Sequence, residues 1–284
     1  MSVSYEEARW TPAAGRGTTF YRLWRPATPA ALLVLVHGFG EHGGRYRPLA
    51  EALAARQLAV AVPDLLGHGR SDGRPGDLRS LEECLAPVAA LTRTVLLPLI
   101  GVPRCAVMGH SFGGLLAGFW AIRQPDLLTR LVLQSPLLEV GFPIPGWKRA
   151  AARVCLALWP AAQFSMGLDL SNLCHDGEVI RAYQQDPLVH HLMSARAYAA
   201  TLRARAEVVR RAEEFRVPVL LLCGDEDRII SVATAAVWFE RLPVEKRLMR
   251  FPGMYHELHH EPVREQVVHQ IADWVLAAPP LAAT

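Results

Sequence analysis

The chain has 284 residues, of which 51% are apolar and 20% are charged, and its formal net charge is +3. This composition excludes a disordered chain, which would combine few apolar residues with a high net charge. The 30 cationic residues are interspersed with 27 acidic ones, so no basic stripe and no nucleic-acid partner are expected. The longest uninterrupted apolar run, residues 30–36, is too short to span a membrane.

The cysteines and the N-terminal residues bear on the location of the protein. The cysteines are odd in number and widely spaced, without any Cys-x-x-Cys pair, so neither a disulfide framework nor a metal site is expected. Residues 1–10 include two glutamates and no apolar stretch, unlike a secretory signal. We therefore expect a cytoplasmic protein.

The predicted elements alternate along the chain. Residues 18–24 are expected to add an antiparallel strand at the start. Short apolar runs bounded by Gly, Pro or Asp predict strands buried on both faces, at residues 31–36, 58–62, 105–108, 131–134, 219–223 and 247–251. Helices are predicted at residues 46–56, 81–97, 112–123, 233–242 and 263–277. This alternation predicts an α/β fold, in which a mostly parallel sheet carries helices on both faces.

One region departs from the alternation. Residues 136–216 contain no convincing strand and two helical stretches, which favours a helical cap inserted into the core. The α/β core then consists of residues 1–135 and 217–284. The alternative is that these helices simply extend the packing of the core.

A candidate nucleophile follows the third of the buried strands. Gly109-His-Ser-Phe-Gly113 matches Gly-x-Ser-x-Gly, and a strand before it and a helix after it are the context in which this motif presents its serine on a sharp turn. Ser111 is therefore the predicted nucleophile. The backbone N–H groups of Phe112 and of Phe39, which lies in the loop after the first buried strand, are the predicted oxyanion donors.

A serine nucleophile needs a base, and the base needs a group that orients it. Doubly wound sheets place such groups on loops at the carboxyl ends of strands. His256 follows the last predicted strand and is the predicted base. Asp225, Glu226 and Asp227 follow the strand before it, and spacing alone does not choose among these three acids.

Several blocks of the sequence match one known family. They are residues 37–46, 64–73, 109–114, 183–190, 224–228 and 255–259. Together they resemble the monoacylglycerol lipase and lysophospholipase branch of the α/β-hydrolase superfamily, whose characteristic block is His-Gly-x-Gly-Glu-His-x-x-Arg-Tyr. The resemblance covers most of the chain.

The resemblance implies an α/β-hydrolase fold with a helical cap and a serine ester hydrolase that uses no cofactor. The family places its triad acid fourth in Gly-x-x-Asp, which selects Asp227. It also places the glycerol end of the substrate near the positions of Glu41, Arg45 and His259. The implied partner is therefore a small lipid ester.

The same resemblance implies a role for the predicted cap. Its apolar side chains are expected to line a tunnel for the acyl chain, with Leu137, Phe142, Ile144 and Trp159 as candidates. Basic residues beside Trp147 are expected to support transient contact with an anionic membrane, as an interfacial helix would. An ordinary solvated face is the alternative.

Two other functions compete with this hypothesis. His256-Glu-Leu-His-His260 matches the His-Glu-x-x-His motif of zinc metalloproteases, although Pro262 limits any helix there to a single turn. A binding protein on an inactive hydrolase fold would usually lack the serine or the histidine. The hypothesis is therefore hydrolysis of monoacylglycerols or related lipid esters, with lysophospholipids or short-chain esters as alternative substrates.

Overall fold

The computed structural model describes residues 2–12 and 17–277. The strands of this part of the chain are β1 Val3–Trp10, β2 Thr19–Pro26, β3 Ala31–Val36, β4 Leu58–Pro63, β5 Cys105–His110, β6 Leu128–Gln134, β7 Gln163–Ser165, β8 Leu192–Ser194, β9 Val219–Gly224 and β10 Lys246–Phe251. The α-helices are α1 Arg47–Ala54, α2 Leu81–Leu91, α3 Leu97–Ile100, α4 Phe112–Arg123, α5 Gly146–Leu158, α6 Gly177–Gln185, α7 Ala195–Arg210, α8 Val232–Glu240 and α9 Arg264–Leu276. A π-helical turn, Thr92–Leu96, joins α2 to α3.

The central sheet has eight strands in the order β1-β2-β4-β3-β5-β6-β9-β10. The pairs β1–β2 and β2–β4 are antiparallel, and all pairs from β4 to β10 are parallel. The predicted fold class is confirmed, including the antiparallel strand near the start. All six predicted strands and all five predicted helices are present, with ends displaced by a few residues. The predicted burial on both faces is wrong for β10, because it lies at the edge of the sheet and only its Phe251 is buried.

The inner strands β3, β4, β5 and β9 are almost entirely apolar because both of their faces are covered. In β3, Leu32 and Val34 pack with α2, α4 and α7 on one face. Leu33 and Leu35 pack with α1 and α9 on the other face. Successive side chains of a strand point to opposite faces, so a strand between two helical layers needs an apolar residue at every position.

The sheet reverses its order between β3 and β5. From β3 the chain adds β4 on one side, and it then crosses over to add β5 on the other side of β3. Ligand sites of open α/β sheets lie at such a switch point, outside the carboxyl ends of the strands. The loop after β3 and the turn after β5 meet there, and these carry Phe39 and Ser111.

Three elements differ from the sequence analysis. Strand β1 was not predicted, because at this edge of the sheet most of its side chains are exposed and lack an apolar pattern. The region without a predicted strand contains two short ones, β7 and β8, which pair antiparallel. Each is three residues long, too short to show a period in the sequence.

One helical stretch of the described residues, Leu81–Ile100, is long and apolar enough to cross a membrane by length and composition. Its side chains Leu85, Val88, Leu91 and Leu96 are buried in the main core, against α4 among others. Helices buried in the core of a protein have the same composition, so packing explains this one.

The predicted cap is attached unevenly to the core. Helix α7 packs against α4, and its Ala197, Ala200, Ala204 and Val208 are buried in the main core. We therefore propose that the cap proper ends near Ser194. Within the cap, α5 has no buried residue.

The segment around α6, in contrast, is bonded to core loops. The Leu173 carbonyl accepts from the Glu257 N–H at 2.8 Å, and the His190 N–H donates to the Gly40 carbonyl at 2.8 Å. These two bonds tie the cap to the loops after β10 and β3.

Candidate active site

The turn between β5 and α4 holds Ser111 in a strained backbone conformation, with φ 54° and ψ −116°. Such a conformation costs about 1–3 kcal/mol in a residue other than glycine. Hydrogen bonds on both sides maintain it: the Ser111 N–H donates to the Gln134 carbonyl at 3.0 Å, and the Ser111 carbonyl accepts from the N–H groups of Leu115 and Leu137. Ser111 is partly exposed, whereas the residues on either side of it are buried.

Close backbone approach explains the two glycines of the motif. A Cβ at Gly113 would lie 2.1 Å from the carbonyl oxygen of Val36, and a Cβ at Gly109 would lie 2.1 Å from the carbonyl oxygen of Gly113. No side chain fits at either position. The glycines therefore bring α4 against β3 and aim the helix N-terminus at the space beside Ser111.

The loops after β9 and β10 bring one carboxylate to His256. Asp227 Oδ2 lies 2.7 Å from His256 Nδ1, and Asp227 Oδ1 accepts from the N–H groups of Ile229 and Ile230 at 2.8 and 3.0 Å. The other two acids of the loop point elsewhere. Asp225 accepts from Arg250 at 2.7 Å, and Glu226 is exposed.

The pair is buried, and its charges favour an ionised carboxylate beside a basic imidazole. Burial lowers the pKa of His256, but the charge and the hydrogen bond of Asp227 outweigh burial and raise that pKa above its ordinary value. Burial raises the pKa of Asp227, but His256 and the two backbone donors lower it further than burial raises it. The imidazole is thus stabilised when it gains a proton.

His110, which directly precedes Ser111, lies close to His256. The His110 ring lies 4.6 Å, centroid to centroid, from the His256 ring. Burial, and then the charge of His256, lowers the pKa of His110 to about 4, which keeps His110 neutral at pH 7. Among the hydrogen bonds of the described residues, none joins Ser111 to His256; such bonds are often long in ligand-free enzymes and tighten with substrate.

The side chains of the two residues that carry the predicted oxyanion donors are in contact. The rings of Phe39 and Phe112 make an edge-to-face contact, with centroids 5.2 Å apart. Below them, the fully buried His37 accepts the N–H of Leu65 at Nε2 (2.9 Å) and bonds the Gly38 carbonyl through Nδ1 (2.7 Å). The loop after β3 is therefore fixed from beneath by a histidine.

The side chains of the three residues expected near the glycerol end are all buried. His259 stacks on Tyr46 with ring centroids 4.8 Å apart and lies 5.3 Å from His110. Glu41 and Arg45 are bonded to each other and are buried, with 4% and 7% of their side chains exposed.

The four residues expected to line an acyl tunnel differ in burial. Leu137 lies beside Ser111, to which its N–H donates, and it packs on the core. Phe142 and Trp159 are 46% and 70% exposed. Ile144 is partly exposed. A role for all four in acyl binding stays a prediction.

The His-Glu-x-x-His segment does not form the helix that a metalloprotease requires. Its one helical turn is the 3-10 turn Leu258–His260, and His256, which precedes it, bonds Asp227 instead. Ligand atoms of Glu257, His259 and His260 lie within 4.8 Å of one another. Both carboxylate oxygens of Glu257, however, are already bonded to Arg45 at 2.8 Å.

Two residues of the site were missed by the sequence analysis. The Gln134 amide donates to Nδ1 of His110 at 3.0 Å and to Nδ1 of His259 at 2.7 Å. Glu257 binds Arg45, as described above. A signal for Gln134 existed: it is the last residue of β6, at the same edge of the sheet as Ser111.

Comparison with known proteins places this arrangement in a family. The family model described as "Serine aminopeptidase, S33" matches residues 27–263. The chain belongs to this family. A monoacylglycerol lipase of Mycolicibacterium smegmatis is 33% identical over 90% of this chain and 92% of that protein. Phospholipase YtpA of Bacillus subtilis is 29% identical over 86% of this chain and 94% of that protein.

A solved structure supports the same fold. The monoacylglycerol lipase of Paleococcus ferrophilus superposes with a TM-score of 0.80, at 30% identity, over 98% of this chain and 100% of that one. The predicted α/β-hydrolase fold and the resemblance to the monoacylglycerol lipase branch are therefore confirmed.

Proposed function

We propose that this protein is a serine ester hydrolase that cleaves monoacylglycerols through Ser111, His256 and Asp227. The observation that carries the proposal is the buried Asp227–His256 hydrogen bond of 2.7 Å beside a serine held at φ 54°. The conformation of Ser111 costs about 1–3 kcal/mol, and it is typical of residues held in place for a function. Family membership and the relatives named above support ester hydrolysis as the reaction.

The reaction begins when Ser111 Oγ attacks the ester carbonyl and His256 Nε2 takes its proton. The N–H groups of Phe39 and Phe112 donate to the oxyanion that forms on the carbonyl oxygen, and the dipole of α4 favours that charge. Asp227 holds Nδ1–H and stabilises the imidazolium. His256 then protonates the departing alcohol, and water repeats the sequence on the acyl-enzyme.

His259 remains the proposed contact for the glycerol end of the substrate. Its Nε2 is buried and has no hydrogen-bond partner among the described residues, while Nδ1 accepts from Gln134. Burial lowers the pKa of His259 well below its usual range, so the ring is neutral and Nε2 carries a hydrogen. It can therefore donate to a glycerol hydroxyl.

A substrate panel tests the reaction and the class of ester. It contains p-nitrophenyl esters of two to sixteen carbons, 1-monooleoylglycerol and lysophosphatidylcholine, each with and without a covalent serine reagent. We expect reagent-sensitive release that is fastest with monooleoylglycerol. Fastest release from lysophosphatidylcholine would assign a lysophospholipase, and a maximum at two to four carbons would assign a short-chain esterase. No release, together with no labelling of Ser111, would contradict the proposal.

We also propose that the cap makes transient contact with an anionic membrane. Trp147, Val154 and Leu158 are 70%, 57% and 82% exposed. They are seven and four residues apart on α5, so they lie on one face of the helix. Lys148 and Arg153 flank that face. An apolar stripe flanked by cations is typical of helices that lie in the membrane interface, where the substrate is found.

Replacement of both Trp147 and Leu158 by serine is expected to weaken binding to phosphatidylglycerol vesicles at least tenfold, because each apolar side chain contributes about 1.5–3 kcal/mol when buried. Sedimentation with vesicles measures the bound fraction. The matched control is Val237→Ser, since Val237 is 67% exposed on α8. Equal binding of the double variant and the wild type would exclude α5 as the contact.

We propose a cytoplasmic location, which the thiols support. All five cysteines are free. Free thiols are typical of a reducing compartment, which supports the proposal of a cytoplasmic protein.

A further inference from the structure

A buried ion-pair network joins the loop after β3 to the loop after β10. The guanidinium of Arg45 bonds Oε2 of Glu41 through Nη1. The same Nη1 and Nη2 donate to the two carboxylate oxygens of Glu257, each at 2.8 Å. At most 7% of any of these three side chains is exposed. One cation thus bridges two carboxylates that belong to different loops.

At one end, the network reaches the backbone beside Phe39. Glu41 Oε1 accepts the N–H of Gly38 at 2.5 Å and the hydroxyl of Tyr46 at 2.6 Å. Gly38 directly precedes Phe39, whose N–H is a proposed oxyanion donor. Any displacement of the Glu41 carboxylate would therefore shift the peptide groups that hold the oxyanion.

At the other end, the network reaches the proposed base. Glu257 directly follows His256, and its Oε2 also accepts from Nδ1 of His260 at 2.7 Å. The Glu257 N–H is bonded to the cap at Leu173. The Glu257 side chain therefore fixes the backbone of the histidine loop against Arg45.

We propose that Arg45 is a positioning residue, which fixes the oxyanion loop relative to His256 rather than contacting the alcohol of the substrate. This inference rests on the proposed function. The bonds already formed support it, because both oxygens of Glu41 are occupied and the Arg45 guanidinium lies between two carboxylates, 4.5 Å from the Tyr183 ring. A displacement of about 1 Å between reacting groups costs on the order of 10²-fold in rate.

Two esters separate positioning from substrate contact: 1-monooleoylglycerol and a p-nitrophenyl ester, which has no glycerol. We expect Arg45→Gln to lower kcat by on the order of 10²-fold on both esters, with KM nearly unchanged. A loss confined to monooleoylglycerol would show direct contact with glycerol and overturn the inference. Unchanged kcat on both esters would overturn it as well.

The pH profile provides a readout that simple loss of stability does not move. Arg45→Gln leaves Glu41 and Glu257 uncompensated, and both of these carboxylates raise the pKa of His256. The acid limb of kcat/KM is therefore expected to move to higher pH. Arg45→Lys keeps the positive charge but lacks the planar guanidinium that binds a carboxylate through two nitrogens. We therefore expect its acid limb of kcat/KM to lie at the wild-type pH and its kcat to be intermediate.

Arg130→Gln is the matched control for removal of a buried arginine. Arg130 is 5% exposed, pairs with Glu245 and stacks on Trp274, on β6 away from the two loops. It should lose stability but keep kcat and the pH profile. If Arg45→Gln does not fold, Arg45→Lys is measured in its place. An equal loss of kcat on the two esters would support positioning, and a loss confined to monooleoylglycerol would overturn it. A wild-type protein inactive on both esters would instead refute the proposed function.

Discussion

Replacement of Ser111 by alanine is expected to lower kcat by on the order of 10⁶-fold, because the acyl-enzyme cannot form without the nucleophile. Turnover of monooleoylglycerol and labelling by a covalent serine reagent both measure the loss. Ser4→Ala is the matched control, since Ser4 is an exposed serine on β1 at the edge of the sheet. Turnover that survives in Ser111→Ala would refute the mechanism.

The strained backbone at Ser111 is also expected to affect the thermal stability of variants at this position. Alanine at position 111 keeps the unfavourable φ of 54°, whereas glycine adopts positive φ without a clash. Ser111→Gly is therefore expected to have a Tm roughly 2–4 °C above that of Ser111→Ala, with both variants inactive. Calorimetry of the two variants measures the difference. Equal Tm values would show that the turn stores no strain.

Replacement of Asp227 by asparagine is expected to lower kcat by about 10⁴-fold, the loss known when a triad acid becomes an amide and the histidine takes the wrong tautomer. Asp225→Asn is the matched control. Asp225 lies two residues away and bonds Arg250 rather than His256. A similar loss in both variants would argue against a specific role for Asp227.

The pH dependence separates the charge of Asp227 from its geometry. His256 acts as a base only when neutral, and Asp227 raises its pKa. Wild-type kcat/KM should therefore rise with pH through a value above the ordinary histidine pKa of about 6.5. In Asp227→Asn the acid limb should move to lower pH, because the negative charge that stabilises the imidazolium is gone. If the acid limb of kcat/KM in Asp227→Asn lay at the same pH as in the wild type, the proposed electrostatic role of Asp227 would be excluded.

The elements that position the site were predictable from sequence because they obey simple periods. A strand covered on both faces is apolar nearly throughout, and the strands that precede Ser111 and Asp227 show this pattern. The strand that precedes His256 lies at the edge of the sheet and carries three cationic residues, so its apolar pattern is weaker. Gly109 and Gly113 mark a turn that no larger residue could form. Local chemistry was enough to place Ser111 and His256 on loops at one edge of the sheet, whereas the choice of Asp227 among three neighbouring acids came from the family resemblance.

Contacts between distant residues were not predictable in this way. The bond between Arg45 and Glu257 joins positions 212 residues apart, and no period or motif of either segment specifies it. The exposure of Trp159 likewise depends on how the cap packs rather than on its own hydrophobicity. Apolar character alone does not distinguish a tunnel wall from a surface that faces lipid.

Because the cap is attached unevenly to the core, its segments are expected to differ in how well they tolerate insertions and replacements. The segment around α6 is bonded at Leu173 and His190 to the loops that carry His256 and Phe39. An insertion there would misalign the reacting groups. Helix α5 carries no such bonds among the described residues. A foreign helix grafted at 146–158 is therefore expected to leave the positions of Phe39 and His256 unchanged.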